Sequence, residues 1–243
     1  MGFEGSRRRW GIVALSVAMA AVAVTVIAAA VAEERRPLDP GPTSMAPRPS
    51  EKAIDRSPSG DVGTQIRWRH SKAIGAPWSG RLVRGVKLPP EGRLFFTWDP
   101  VRNTSTNRAY RRFATSRLLR MTLGILRSYA AEHPHAPRVG IGDLSRRNGG
   151  DFGKRFGGLG HSSHQNGLDV DVYYPRRDGR EREPWRPGQI DRGLAQDLVD
   201  RFVAAGAQYV FVGPHTKLTG PPRIVQALAH HDNHMHVRIP AHN

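Results

Sequence analysis

Residues 160–171 read Gly-His-Ser-Ser-His-Gln-Asn-Gly-Leu-Asp-Val-Asp, and this stretch decides how the rest of the chain is interpreted. Its end alternates apolar and polar side chains, in the order Leu168, Asp169, Val170, Asp171, Val172, Tyr173. A two-residue period predicts a half-buried strand with two carboxylates on its open face. Gly167 permits a tight backbone turn, so we expect His164 to lean towards Asp171.

A second stretch, His231-Asp-Asn-His-Met-His236, follows some sixty residues later. Its apolar residues alternate with polar ones through Met235, His236, Val237, Arg238 and Ile239. This pattern also predicts a strand, with His234 and His236 on one face, roughly 7 Å apart.

The two stretches concentrate histidine. Six of the eleven histidines lie in or beside them: His161, His164, His230, His231, His234 and His236. Imidazole and carboxylate together are typical zinc ligands, and three protein ligands leave one coordination position for water, as in catalytic zinc sites. Other interpretations stay open: His161 and His164 on a helix surface, and Asp169 as a solvated carboxylate instead of a partner that orients a ligating imidazole.

The motif Ser162-x-His164-x-x-Gly167-x-x-x-Asp171 with His234-x-His236 resembles the group of lysostaphin-type peptidases, D-Ala-D-Ala metallopeptidases and the hedgehog domain. Within it, Gly-His-x-Ser-His-Gln-x-Gly-Leu-Asp-Val-Asp and His-x-x-His-Met-His-Val-Arg are similar to the penicillin-insensitive murein endopeptidase family. The resemblance covers about residues 107–240. It includes, in the family's order, Arg111-Arg112-Phe113, Ile141-Gly-Asp143 and Val210-Phe-Val212.

The resemblance implies zinc ligands at His164, Asp171 and His236, with His161 as a further residue near the metal. It makes His231 and His234 the active-site imidazoles. The sequence departs from the family in two places. The segment from Arg155 to His161 is one residue longer, and Asp178-x-x-Glu181 stands where the family has Asp-x-x-His. The first departure concerns a contact of Arg155 with substrate, and the second concerns a second metal near Asp178 and Glu181.

The residue types also indicate a mechanism. Zinc activates water as a nucleophile, and a proton must then reach the leaving amine. No Glu accompanies the cluster, and a histidine near its own pKa can transfer protons. We therefore expect His231 to act as general base and His234 to stabilise the oxyanion or share the proton transfer.

The N-terminus predicts export. Residues 11–32 carry no charge and follow Arg7-Arg8-Arg9. As a helix they would span roughly 33 Å, enough for the hydrocarbon core of a membrane. Residues 1–32 are thus expected to be a membrane anchor, with the rest of the chain facing the periplasm or cell wall, or a signal segment that is cleaved and leaves the chain secreted. Residues 33–65, with six prolines, predict a disordered tether.

The remaining residues, 66–243, are expected to form the zinc peptidase domain, and they carry 29 Lys and Arg against 14 Asp and Glu. This charge attracts polyanions. An exported chain without a nucleic-acid-binding motif is expected to bind peptidoglycan peptides and not nucleic acid. The sequence contains no cysteine, which excludes a Cys nucleophile and a Cys-ligated zinc.

The order of elements predicts an α+β fold, a small and largely antiparallel sheet with flanking helices and the metal on its open face, as in the metallopeptidase group named above. Expected strands are 81–88, 94–98, 138–141 and 208–212. Expected helices are 106–132, 191–205 and a short one through 221–228. The glycine-rich residues 149–160 predict a loop at the rim of the site, where Tyr173, Tyr174 and Trp185 would pack or line a groove.

Three functions fit these observations. The first is a zinc-dependent endopeptidase that hydrolyses peptide cross-links of peptidoglycan. The second is a D,D- or L,D-carboxypeptidase that trims stem peptides. The third is a non-catalytic wall-binding module with a structural zinc site, which would tolerate loss of His231 or His234.

Overall fold

A computed structural model describes residues 66–153, 156 and 163–241 of the chain. Across these residues there are two α-helices and eleven β-strands. The helices are α1 (Ser116–Glu132) and α2 (Arg192–Ala204). The strands are β1 (Lys72–Ala76), β2 (Ser79–Val83), β3 (Val86–Lys87), β4 (Phe95–Asp99), β5 (Thr104–Ser105), β6 (Phe113–Ala114), β7 (Val139–Ile141), β8 (Asp169–Tyr173), β9 (Tyr209–Val212), β10 (Val225–Ala227) and β11 (His234–Arg238).

Seven strands form the main sheet, in the order β10-β9-β11-β8-β7-β4-β5. The central strand β11 runs antiparallel to both β9 and β8, and β8 runs antiparallel to β7. Only the β10–β9 and β4–β7 pairs of this sheet are parallel. The architecture is therefore α+β with a largely antiparallel sheet, as the sequence predicts.

The alternating sequences of β8 and β11 place these strands at the centre of the sheet. Val170, Val172, Met235 and Val237 are completely buried and belong to the same apolar core as the inward faces of α1 and α2. The polar residues between them face the opposite side of the sheet, because successive side chains of a strand alternate. Both predicted strands are confirmed.

Helix α1 begins ten residues later than the sequence predicts. Phe113 and Ala114 pair with β3 as strand β6, and the Thr115 hydroxyl then accepts a hydrogen bond from the Leu118 amide at 3.3 Å. This is an N-cap, which fixes the helix start. The expectation of a helix from residue 106 is wrong because pairing with a distant strand outweighs helical periodicity there, so Phe113 lies outside the helix.

The short helix expected at 221–228 is also wrong. Pro221 opens a turn, in which its carbonyl accepts hydrogen bonds from the amides of Ile224 and Val225, both at 2.8 Å. The chain then becomes extended, and Val225 pairs with Val210 in a parallel ladder. A β-branched residue beside an open sheet edge favours this pairing over a further helical turn.

Other expectations hold with changed bounds. The predicted strand 81–88 is divided between β2 and β3, because Arg84 adopts a positive φ of 50° between them. Strands β4, β7 and β9 lie where the sequence predicts them. Helix α2 is confirmed, with Asp191 as its N-cap accepting from the Leu194 amide at 3.1 Å.

In the part of the chain that the structure describes, no helix is both long and apolar enough to cross a membrane. The expected anchor or signal segment, residues 1–32, and the expected tether, residues 33–65, lie outside the described residues. So does half of the predicted glycine-rich loop, residues 154, 155 and 157–160.

Candidate metal centre

Strand register brings the two histidine-rich stretches together. Asp171 of β8 lies directly opposite His236 of β11. The Asp171 Oδ1 atom is 3.1 Å from His236 Nδ1 and 3.3 Å from His164 Nε2. All three side chains are buried. The convergence that the sequence predicts for these residues is therefore present.

His164 reaches this position through an unusual backbone conformation. Its φ is 67°, in the left-handed region that residues with a Cβ rarely adopt, and Gly167 follows with φ 78°. The backbone amide of His164 donates to Asp169 Oδ2 at 3.1 Å, which helps to hold this conformation. The turn between the glycine-rich segment and β8 thus directs the imidazole towards Asp171.

The three side chains fit a zinc ion. One donor atom from each of His164, Asp171 and His236 lies within 4.8 Å of the other two. Donors held about 2.0–2.1 Å from one tetrahedral zinc are roughly 3.3 Å apart, close to the two distances to Asp171. Two imidazole nitrogens and a carboxylate oxygen also match the donor types of zinc enzymes.

Asp169 is buried and is not a solvated carboxylate. Its Oδ1 lies 3.0 Å from His236 Nε2 and accepts a hydrogen bond from Arg238 Nε at 2.6 Å. His236 thereby presents Nδ1 towards Asp171 while Asp169 holds its other ring nitrogen. This is the carboxylate–histidine arrangement that orients metal ligands in proteins. Of the two readings of Asp169, the structure favours the orienting one.

The charges of the cluster are strongly coupled. Burial alone would raise the pKa of Asp171, but His164 and His234 outweigh it and hold that pKa well below its usual range. Asp169 behaves similarly, with its pKa lowered to about 2, because the contact with His236 outweighs burial. Burial lowers the pKa of His236, but the two carboxylates raise it to about 9. Both carboxylates are therefore ionised at neutral pH, as metal ligation and its support require.

His231 and His234 lie beside this cluster. The His234 Nε2 atom is 3.8 Å from Asp171 Oδ1, and the His231 ring centroid is 4.8 Å from that of His234 and 6.0 Å from that of His236. His231 Nδ1 contacts the Ala229 carbonyl oxygen at 2.7 Å. Burial lowers the pKa of His231, which favours a neutral imidazole.

Two residues that the sequence does not indicate hold His234. Asn233 Oδ1 lies 2.7 Å from His234 Nδ1, and Asn233 Nδ2 donates to Glu183 Oε2 at 2.6 Å. Glu183 is fifty residues away in the chain. The adjacency of Asn233 to His234 is the one signal in the sequence, whereas only the fold brings Glu183 there.

The cluster opens into a cleft of about 990 Å³. Phe211 and Tyr173 line it, and Trp78, at the turn between β1 and β2, is 60% exposed at its edge. The Arg238 guanidinium also lines the cleft and lies 5.7 Å from the centre of the Trp78 ring. The opening therefore combines apolar surfaces with one cation, a lining typical of sites for peptide-sized ligands.

Tyr173 lines this cleft although it is largely buried, whereas Tyr174 is packed in the core and Trp185 is exposed elsewhere.

The remaining predicted positions differ in outcome. His161 and Arg155 lie outside the described residues. Asp178 pairs with Arg176, with Oδ1 2.8 Å from Arg176 Nε, and Glu181 pairs with Arg138, with Oε1 2.8 Å from Arg138 Nε. Each of these carboxylates thus pairs with an arginine, and this pairing gives no support to a second metal there.

These features define the class: an α+β protein with a buried His/Asp cluster that opens into a cleft lined by three further imidazoles, those of His230, His231 and His234. Residues 73–218, more than half of the chain, match the model of a protein family described as penicillin-insensitive murein endopeptidase. The chain therefore belongs to this family, which confirms the resemblance seen in the sequence. Membership implies a peptidase that acts on peptidoglycan. The matched segment begins well before Asn107 and ends before His231. No match was found among curated proteins.

Proposed function

We propose that the chain is a zinc-dependent endopeptidase that hydrolyses peptide cross-links of peptidoglycan. The observation that carries this proposal is the approach of donor atoms from His164, Asp171 and His236 to within 4.8 Å of one another at the base of a large cleft. Family membership supports the substrate class. The buried donor set supports the metal.

His164, Asp171 and His236 are the proposed zinc ligands, and His161 is a proposed additional residue near the metal. A zinc ion held by them supplies Lewis-acid chemistry, which activates water as a nucleophile and polarises the carbonyl of the substrate. Asp169 keeps the His236 ring in the orientation that presents Nδ1, since it binds the other ring nitrogen.

His231 is the proposed general base. Because its Nδ1 contacts the Ala229 carbonyl, the proton lies on Nδ1 and Nε2 is left to accept another. The lowered pKa keeps the ring neutral, so it can accept the proton of the attacking water and deliver it to the leaving amine. His234, held by Asn233, is placed to stabilise the oxyanion or share this transfer.

The cleft supports a peptide substrate with free carboxylates. Trp78 and Phe211 offer apolar surfaces on which the chain of a cross-linked stem peptide can pack. Arg238 supplies a positive charge at the same cleft, although Asp169 neutralises part of it. Such a wall substrate requires export, and we propose residues 1–32 as the signal or membrane anchor on the basis of their sequence alone.

The test is to incubate the full chain with purified cross-linked muropeptide dimers, after chelation and after addition of zinc. We expect mass spectrometry to show monomers only in the zinc-loaded reaction. Loss of a single terminal residue would identify a carboxypeptidase instead. Intact dimers in the presence of bound zinc would indicate a wall-binding module.

Two variants sharpen this test. His231→Ala should lower turnover by roughly 100-fold or more, as expected for loss of a general base, while binding zinc normally. His135→Ala removes an exposed imidazole that follows α1 and does not line the cleft, and it serves as the matched control, with unchanged turnover. Near wild-type turnover of the His231→Ala protein would refute the assignment.

A further inference from the structure

A second cavity, of about 410 Å³, lies apart from the metal cleft and shares none of its lining residues among those described. Five cationic side chains line it: Arg67, Arg69, Lys87, Arg112 and Arg147. We call it the basic cavity. Its volume falls in the range of small-molecule sites, roughly 300–1000 Å³.

No carboxylate lines the basic cavity, and within the described part of the chain none of its five cations forms an ion pair. The acidic residues nearest to these cations in sequence pair with other arginines: Glu91 with Arg138, Asp143 with Arg111 and Asp151 with Arg146. Elsewhere on the molecule, other arginines do pair with acidic neighbours, as Arg176 does with Asp178 and Arg201 with Asp197. The basic cavity therefore concentrates uncompensated positive charge.

Arg112 differs most clearly from its neighbour in the chain. Arg111 and Arg112 are both buried, but Arg111 pairs with Asp143, with its Nε 2.6 Å from Oδ1. Burial lowers the pKa of Arg111, yet Asp143 more than restores it, so the net shift is upward. Burial lowers the pKa of Arg112, and no carboxylate opposes this. A buried guanidinium without a counterion is costly unless something else compensates it.

The Arg112 side chain is held in place. Its Nη1 donates to the Leu88 carbonyl at 2.7 Å, and the Leu88 amide donates to the Arg112 carbonyl, also at 2.7 Å. Its Nε is buried and has no hydrogen-bond partner among the described residues. The pairing of β3 with β6 thus holds Arg112 where it lines the basic cavity.

We propose that the basic cavity binds a phosphate group, with Arg112 at its base and Arg69, Lys87 and Arg147 around it. A phosphate group offers several oxygens, which the planar guanidinium can bind in a bidentate manner. Its negative charge supplies the counterion that Arg112 lacks. Exposed lysine and arginine stems leave the cavity accessible to a bulky ligand.

The ligand that would bring such a phosphate group to the basic cavity is a phosphodiester-bearing polymer of the cell wall. This part of the inference rests on the proposed function, because the proposed wall substrate is what brings the chain to the cell wall. A second attachment point distinct from the cleft would hold the enzyme on its insoluble substrate and raise the local concentration of cross-links.

The experiment uses the full chain after chelation, so that phosphate cannot bind at a metal. Isothermal titration calorimetry measures binding of glycerol phosphate and of tripolyphosphate, with citrate as the carboxylate probe. We expect binding of both phosphates in preference to citrate. Equal or tighter binding of citrate, or no phosphate binding at all, would overturn the proposal. Binding to phosphatidylglycerol vesicles without binding to the soluble probes would identify a membrane as the partner and would also overturn it.

Two triple variants distinguish phosphate binding at a specific site from non-specific attraction by the positive charge of the chain. Arg69→Ala/Lys87→Ala/Arg147→Ala should weaken tripolyphosphate binding by roughly tenfold or more, since charged hydrogen bonds are lost. Arg93→Ala/Arg127→Ala/Arg223→Ala removes the same charge from exposed positions outside the cavity and should change binding by less than about twofold. Equal losses in the two variants would refute a specific site.

A conservative variant and an activity assay complete the test. Arg112→Lys keeps the charge but removes the guanidinium fork, so binding should weaken although the net charge is unchanged. The cavity triple variant should hydrolyse soluble muropeptide dimers at the wild-type rate. Because binding of the probes does not depend on hydrolysis, failure of this inference and failure of the proposed function are distinguishable.

Discussion

Asp169 and Asp171 are chemically identical and two residues apart, yet their surroundings separate their roles. Asp171 faces the imidazoles of His164 and His236 and opens into the cleft. Asp169 is fully buried and receives hydrogen bonds from side chains and from a backbone amide. At the scale of single residues, the number of fixed donors around a carboxylate therefore distinguishes a proposed ligand from the group that orients the ligands.

Asp169→Asn tests this separation. The amide keeps the size of the side chain, but it can no longer accept at both oxygens from His236, Arg238 and the His164 amide. We expect zinc affinity to fall by roughly 10–100-fold, the usual effect of losing an orienting carboxylate. A competitive titration against a chromophoric chelator measures this, with circular dichroism as a check on folding.

The matched control is Asp200→Asn. Asp200 is an exposed carboxylate of α2 that accepts only from Gln196 in the described structure, so its loss should leave zinc affinity unchanged. Wild-type affinity in the folded Asp169→Asn protein would show that Asp169 has a purely structural role.

At the scale of elements, the site depends on register. Asp171 meets His236 because β8 and β11 pair with these residues opposite each other, and a slip of one residue would turn the carboxylate into the core. Apolar side chains at 170, 172, 235 and 237 prevent such a slip, since it would expose them. The same alternation that forms the core thus aligns the site.

This alternation is why the sequence predicts so much of the site. Period-two patterns reveal both central strands, and the convergence of His164, Asp171 and His236 follows from their pairing. Distant contacts explain what the sequence missed. The start of α1 depends on pairing of Phe113 with β3, and the support of His234 depends on Glu183. Neither partner is visible in a local window of sequence.

The segment that carries His231 packs closely against the backbone at Gly213, so we expect the protein to be sensitive to substitution of this glycine. A Cβ added at Gly213 would lie 2.5 Å from both the Asp232 Cα and the Asp232 backbone nitrogen, far inside normal contact. Gly213→Ala should therefore destabilise the protein by about 1–3 kcal/mol and displace His231. Chemical denaturation measures the first effect and muropeptide turnover the second.

Gly124→Ala is the control for this variant. Gly124 lies on the exposed face of α1, where an added Cβ meets nothing within 4 Å. Alanine should stabilise the helix by roughly 0.5–1 kcal/mol and leave turnover unchanged. A Gly213→Ala protein with normal stability and turnover would show that the His231 segment can shift without cost.

At the scale of the whole molecule, the uncompensated positive charge and the proposed metal site lie in different places. The chain has a net charge of +16, yet two carboxylates lie at the metal cleft, Asp171 in its lining and Asp169 buried beside His236. The uncompensated charge lies at the basic cavity and on the surface. The fold thereby separates the positive charge that attracts a polyanion from the two imidazoles and one carboxylate that are proposed to hold a divalent cation.

Metal binding should be visible as stability of the entire described fold, because the three proposed ligands join the turn before β8, β8 itself and β11. A ligand at 100 times its dissociation constant stabilises the folded state by about 2.7 kcal/mol. For a domain of this size that corresponds to a rise in Tm of roughly 5–10 °C. Differential scanning calorimetry of chelated and zinc-loaded protein measures this shift.

His164→Ala should lose the zinc-dependent rise, whereas the exposed-site variant His135→Ala should keep it. Comparing the shift within each protein removes any change that the substitution makes to the metal-free fold. Mg²⁺ should give no comparable rise, because it prefers oxygen ligands and the proposed set has two nitrogens. An equal zinc-dependent shift in the His164→Ala protein would place the stabilising ion elsewhere on the molecule and would remove the basis for the proposed centre.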